Sequence, residues 1–552
     1  MTQERTNVEA VEDQPHGPVQ ERAEAHEQSF NPEGLLMRSK EDDIGIWKSV
    51  LRHKRVGFIA MAAAFCASLD GYQINLNSGI VANKGFIRQM ANPGKTIIEG
   101  TYVSAWGGIQ STGQTVGQIL LQYATEAYGR KPALIIIWVI LTGSIFTESF
   151  ATRWDHWLVA KLLSGMGVGM LQSTMPLYLS EIAPTQLRGY YINAYSLCAQ
   201  PFFSSSFSWF VIGQLFASVA LNSLNASDPY NFRTPIYTQW AMIGIIGIVF
   251  ALLPETPWWL VSKDKMDKAR KTLHTCNGDI ANYDSTEQLE IMRATVAAER
   301  QLAEANREMG QWAVFKGRNL LRFIIAAWPK VAQQFVGLSV FNTYATYFFQ
   351  YAGSNNPFMV TIILSCVQII SMIVTATSTD RFGRRPLTVY PYAVTVVSVL
   401  SLGIVGCFDY TTKALSSLLI FFACLATFST TGASAIGYAY AAEVPQQRLR
   451  AQTAAWALAF SNMVAIMFSF CTPLMIHGPS TSWGVKTGFF FAGTGAVATF
   501  IAWLILPEVA CRTPAEIDEM FALKVPLRKF KTFVTEVQVR ADQVHEKQEA
   551  LA

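Results

Sequence analysis

Charge is scarce in this chain. Asp, Glu, Lys and Arg together make up 15% of its 552 residues, where soluble domains carry about 25%. The net charge is only +4 and the basic residues are scattered, so the basic stripe needed for nucleic-acid binding is missing. No CxxC occurs, which argues against a structural zinc site or a redox motif. Of the eight cysteines, Cys66, Cys198, Cys366, Cys424 and Cys471 lie inside apolar stretches and read as small packing residues. The first 50 residues hold no apolar signal-peptide core. Neither a nucleophile–base constellation, a metal-ligand cluster nor a phosphate loop is visible. The GMGVG run at 165–169 follows no predicted strand and reads as a helix-packing motif. The expectation is a protein that is not an enzyme and uses no cofactor or metal.

What the chain does have is apolar length. Hydrophobic residues reach 51%, Phe alone 35 copies, and mean hydropathy is +0.24. A helix needs roughly 20 mostly apolar residues to cross a bilayer. About twelve segments qualify, near 56–78, 101–123, 132–152, 157–180, 190–220, 237–254, 322–352, 357–379, 387–408, 415–441, 452–476 and 485–507. Several carry Gly, Asn and Gln, as spans enclosing a polar path do. The predicted class is an all-α membrane protein with twelve transmembrane helices in two six-helix halves. Its predicted divisions are a disordered cytosolic tail at 1–50, a first half at 51–254, a charged helical linker at 255–321, a second half at 322–508 and a cytosolic tail at 509–552.

Arg52, Lys54, Arg55, Arg130, Lys131, Arg188, Lys263, Arg384, Arg385, Arg450 and Arg512 fall on one side under even alternation. That side is predicted to be the cytosol, with both termini in it. Lys84, Arg88, Lys95 and Arg233 fall on the other side, so the rule holds as a bias. Asn225, in the NAS triplet at 225–227, is predicted to lie in an external loop as a glycan acceptor.

Three features occur twice, roughly 250–260 residues apart. An acid-x-x-Gly-Arg-basic pattern joins Glu126 to Arg130 and Asp380 to Arg384. A Glu-x6-Arg pattern joins Glu181 to Arg188 and Glu443 to Arg450. Pro254–Glu255 and Pro507–Glu508 each close a six-span block. Duplicated halves with a midplane site between them are a transporter architecture. The charged residues sit at span ends, where ion pairs that form in one conformation and break in another support alternating access.

These motifs resemble the sugar porter family of the major facilitator superfamily over nearly all of residues 50–525. The resemblance rests on PETPWWL at 254–260, EIAPTQLRG at 181–189, DRFGRR at 380–385 and PEVACRTPAEID at 507–518. Within the family, YATYFFQYAG at 344–353 looks most like fungal maltose and α-glucoside permeases. The resemblance implies a secondary carrier, working as a monomer in the plasma membrane, for a sugar or polyol-like substrate. By the family's pattern, Gln333 and Gln334 are the glutamine pair that contacts sugar hydroxyls. Ser339 replaces a binding Asn, Gln368 falls at a binding Asn, Tyr438 at a Trp and Ser196 at a Gln, while Asn462 is a further candidate by position.

Proton-coupled members carry Gly-Tyr-Asp on helix one. This chain reads DGYQ at 70–73, so Gln73 stands at the Asp position, and Lys161 replaces the helix-four Arg. Two readings stay open: a facilitator, or a proton symporter in which Asp70, one turn earlier, takes the acid role with Lys161 as partner. Glu148 is a weaker candidate near the outer end of helix three. Export of a small polyhydroxylated metabolite is the alternative function. A sugar sensor fits less well, because only a short tail follows Leu523.

Overall fold

The computed structural model describes residues 52–535 and 538, except 93, 185–208, 279, 281–284, 310–311, 355, 409–411, 447–448, 480–481, 511 and 513. Arg188, Ser196, the side chain of Asp380 and the 1–50 tail lie outside the described residues.

The described chain is helical. The first span is α1 (Lys54–Phe65) running into α2 (Ala67–Ile80), followed by a short α3 (Lys84–Met90). Spans two to four are α4 (Gly100–Tyr128), α5 (Arg130–Phe150) and α6 (Trp154–Ile182). The described part of span five is α7 (Trp209–Ser227), and span six is α8 (Arg233–Leu252). The linker folds as α9 (Pro257–Ser262), α10 (Met266–Asn277) and α11 (Ser285–Met309). Span seven comprises α12 (Gly317–Phe335), a π-helical turn at Ser339–Thr343 and α13 (Ala345–Tyr351). Spans eight to twelve are α14 (Pro357–Phe382), α15 (Pro386–Val405), α16 (Lys413–Glu443), α17 (Arg450–His477) and α18 (Thr487–Ile505). A last helix, α19 (Pro514–Ala522), packs under the second half.

Nine of the described helical stretches are long and apolar enough to cross a membrane. Spans two, four and seven fall short, and these three carry much of the polar lining described below. Span seven, expected as one helix, is interrupted. Gly337 takes φ +93, a left-handed conformation that favours glycine, and regular α-helix stops two residues before it. Asn225 lies in the last turn of α7 rather than in a loop.

Helices approach closely where side chains are smallest. A Cβ on Gly165 or Gly169 of α6 would stand 2.1 Å from the carbonyl oxygens of Gln110 and Gln114 on α4. Gly113 and Gly117 return the favour from α4, with Leu162 and Met166 carbonyls 2.7 and 2.3 Å away. Within a membrane, packing of this kind does what hydrophobic exclusion does in water.

The duplicated motifs fold into duplicated geometry. Glu255 accepts from the backbone N–H groups of Arg130 (2.9 Å) and Lys131 (3.1 Å), capping α5. Glu508 accepts from those of Arg384 (2.8 Å) and Arg385 (3.1 Å) at the start of α15. A carboxylate at a helix N-terminus satisfies orphan donors and complements the dipole. The hydroxyl of Tyr178 donates to the Pro254 carbonyl at 2.9 Å, and that of Tyr440 to the Pro507 carbonyl at 2.8 Å.

Candidate substrate-translocation site

Between the two halves lies a cavity of about 150 Å3. The first half contributes Asn77 and Ser78 from α2, Trp106, Gln110, Ser111 and Gln114 from α4, and Trp157 and Lys161 from α6. The second half contributes Gln334 from α12, Ser339 and Thr343 from the π-turn, Tyr344, and Ser469 from α17. Amides, hydroxyls and aromatic faces dominate this wall. Asn77 Nδ2 is buried there without a hydrogen-bond partner, so one donor is available to a bound polar molecule.

On the side away from the linker the halves touch. The hydroxyl of Ser111 donates to that of Ser469 (3.0 Å), and Tyr347 donates to the Ile98 carbonyl (3.1 Å). A Cβ on Gly100 would stand 2.1 Å from the His477 carbonyl oxygen. Nearer mid-depth, Asn462 Nδ2 donates to Gln118 Oε1 at 2.9 Å.

The expected site residues separate into groups. Gln334, Ser339 and Lys161 line the cavity. Gln333 does not line it and accepts from Ser434 Oγ through Oε1. Gln368 lies at a small neighbouring void beside Leu338 and Thr430. Tyr438 offers its ring to Lys330, whose Nζ stands 3.4 Å from the ring centroid. Asn462 joins the halves instead of lining the cavity.

The expected partnership of Asp70 with Lys161 is not formed. Asp70 is buried and accepts from Gln172 Nε2 at 2.9 Å. Lys161 Nζ is bound to Glu148 Oε1 at 2.9 Å, donates to Asn77 Oδ1, and stands 4.0 Å from the Trp157 ring centroid. The lysine rises from α6 four residues after Trp157, which places both on one helical face. Glu148 Oε2 accepts from Gln239 Nε2 (2.8 Å), and Gln239 Oε1 accepts from Gln73 Nε2 (3.1 Å). Gln73 Oε1 in turn accepts from Ser164 (2.7 Å). A continuous polar chain thus runs from Ser164 to Asn77 through spans one, three, four and six.

The span-end charges pair between neighbouring helices. Arg130 bonds Glu181 at 2.5 Å, while the Glu126 side chain is exposed. Arg384 bonds Glu443 at 3.4 Å, and Arg450 is exposed at the start of α17. The arginine of the first motif therefore reaches the glutamate of the second, in both halves. Thr256 completes the first cluster by donating to Glu181 Oε2 at 2.6 Å.

Sequence reasoning missed the α4 wall. Trp106, Gln110 and Gln114 line the cavity at a spacing of four and Gln118 continues the row, a stripe of hydrogen-bonding side chains on one helical face. That periodicity is the signal that would have identified it.

Residues 59–521 match the family model described as sugar (and other) transporter. The general alpha-glucoside permease of Saccharomyces cerevisiae is 30% identical over 515 residues, covering 90% of this chain and 80% of the permease. The maltose permease MAL31 of the same yeast is 31% identical over 435 residues, covering 76% of this chain and 67% of the relative. The fold resembles the inward open conformation of the xylose transporter XylE from E. coli, with TM-score 0.64, 20% identity, and coverage of 84% and 99% of the two chains. With its duplicated helical halves and shared polar cavity, the chain is a member of the sugar transporter family, with the major facilitator fold.

Proposed function

We propose that this protein imports a sugar of the α-glucoside or hexose class across the plasma membrane by alternating access, as a monomer with both termini and the linker in the cytosol. The observation that carries this reading is the cavity walled by both halves with amides, hydroxyls and aromatic faces. A hydroxyl-reading site discriminates strongly, because a ligand lacking the hydroxyl leaves buried groups unpaired. The yeast relatives named for α-glucosides and maltose support the substrate class. With the linker side as cytosol, the contacts at Ser111–Ser469 and Tyr347–Ile98 support closure of the external side in the described state. Gln334, Ser339 and Asn77 bind the sugar directly, and Arg130–Glu181 and Arg384–Glu443 hold this state.

A facilitator is the second reading, favoured by Gln73, an amide that cannot titrate, at the position of the family's helix-one acid. The test for both is uptake of labelled glucose and maltose in yeast lacking its own sugar carriers, with and without a protonophore. Uptake abolished by the protonophore supports symport. Uptake that persists and only equilibrates supports the facilitator. Absence of uptake, with the protein confirmed at the surface, overturns import.

A further inference from the structure

We propose that Glu148 on span three is the proton-binding group of this carrier, with Lys161 as the cation it releases and Gln73 and Gln239 as positioning residues. The inference rests on the carrier reading above and deepens it.

Three observations converge. First, Glu148 and Lys161 form a buried ion pair directly behind the cavity wall, 2.9 Å apart, with Lys161 and its second partner Asn77 both lining that wall. Intramembrane acids at such a place are functional sites by default. Second, the cation has fallback partners. When the carboxylate is neutralised, Lys161 keeps the Asn77 carbonyl oxygen and the Trp157 ring face, so the pair can dissolve without stranding an ammonium in a dry interior. Third, the amide that occupies the expected acid position is wired to Glu148. Gln73 donates to Gln239 Oε1, which turns the Gln239 amide nitrogen toward Glu148 Oε2. The proposed acid thus stands on span three, and Gln73 of span one orients it through Gln239.

The step balances simply. Lys161, which lines the cavity, passes an N–H proton to Glu148 Oε1 and takes a replacement proton from cavity water, so an O–H bond forms on the carboxyl, the ion pair is lost, and the ammonium turns fully to Asn77 and the cavity. After the halves re-orient, the proton leaves to water on the other side and the pair re-forms. Substrate that bonds Asn77 or Lys161 thereby binds best when Glu148 is protonated, which is coupling by linkage.

Few other titratable groups share this buried region. On α2 these are Asp70, bonded to Gln172, and Tyr72, bonded to Thr238. On α6 Lys161 is the one described, with Asp155 and His156 at the outer end. On α8, Arg233 lies at the outer end and Tyr237 is exposed. Asp70 is the competitor. It stands two helical turns from Asn77 on α2, accepts from Gln172 at one oxygen while the other has no partner, and, unlike Glu148, bonds no residue of the cavity wall.

The experiment is infrared difference spectroscopy of the purified full-length protein on acidification, read at the carbonyl stretch of a protonated buried carboxyl. The wild type is expected to show the band, Glu148→Gln to lose it, and Asp70→Asn to keep it. A band that survives Glu148→Gln, disappears in Asp70→Asn, or fails to form in the wild type overturns the proposal. If Glu148→Gln does not fold, the double variant Glu148→Gln/Lys161→Met removes both charges and is read instead. In vesicles, Glu148→Gln is expected to bring the proton-driven maltose accumulation ratio to unity and to flatten the pH profile of transport. A uniform loss of rate with the pH profile preserved marks Glu148 as structural and also overturns it. Should the wild type move no maltose while the band follows Glu148, the substrate reading fails and the titrating pair stands.

Discussion

Asn462 on α17 donates to Gln118 on α4 across 2.9 Å, a hydrogen bond between the two halves near mid-depth. Motion that parts the halves at this level must break it. Hydrogen bonds between transmembrane helices average about 0.6 kcal/mol, roughly a factor of three in population. Asn462→Ala is therefore expected to shift the conformational equilibrium about threefold away from the described state. Spin-label distances between α4 and α17 measure this, and an unchanged distance distribution would show that the bond is not state-specific.

Gln334 and Gln333 are adjacent in sequence and separate in role. Successive residues on a helix point about 100° apart, so only Gln334 reaches the cavity while Gln333 accepts from Ser434. Removing a partner from a buried hydroxyl costs about 1–3 kcal/mol. Gln334→Ala is expected to weaken sugar binding by roughly five- to a hundredfold on that scale, and Gln333→Ala by less. Titration of each purified variant with the transported sugar decides it. Equal effects would mean that the pair acts as one unit.

Glu508 and Glu255 make matching caps, each bonding two backbone N–H groups. Charge-assisted bonds contribute about 1.5–3 kcal/mol. Glu255→Ala and Glu508→Ala are expected to lower the melting temperature by similar amounts. A loss confined to one half would show that the geometric symmetry is not an energetic one.

The α4–α6 seam has no room for a side chain at Gly169, where a Cβ would stand 2.1 Å from the Gln114 carbonyl oxygen. Gly169→Val is expected to abolish folded protein at the membrane. Gly143→Ala is the control, since nothing lies within 4 Å of a Cβ there. Size-exclusion profiles of tagged variants provide the readout, and a monodisperse Gly169→Val protein would contradict the seam.

Lys161→Met leaves Glu148 buried without its cation. Breaking a buried ion pair from one side costs about 3–5 kcal/mol, while replacing both members is far milder. The single variant is expected to melt well below the wild type, and Lys161→Met/Glu148→Gln to regain most of the loss. Absence of recovery in the double variant would locate the damage elsewhere, for example in the contact with Trp157.

Much of this architecture is legible in the chain. The twelve apolar stretches and the motifs repeated at a fixed offset foretell the duplicated halves, because hydropathy and repetition survive without three-dimensional knowledge. Gln334, Ser339 and Lys161 are identifiable through the resemblance to the sugar porter family, and all three line the cavity. Partner choice is not, because Glu148 and Lys161 meet across the turn between α5 and α6 and nothing local states which way each points. The same holds for Arg130, which bypasses the nearby Glu126 for Glu181. The α4 stripe is a case of a readable signal: its spacing of four is visible once that helix is considered as a wall rather than as an anchor.

The interruption of span seven at Gly337 puts two tasks on neighbouring turns of one segment. Below it stands Gln334 and above it Ser339 and Tyr344, all of which line the cavity, while Tyr347 further up bonds the Ile98 carbonyl of the other half. One short stretch of chain therefore touches both a bound molecule and the closed face. A substitution at Tyr344 is then expected to alter selectivity and opening together.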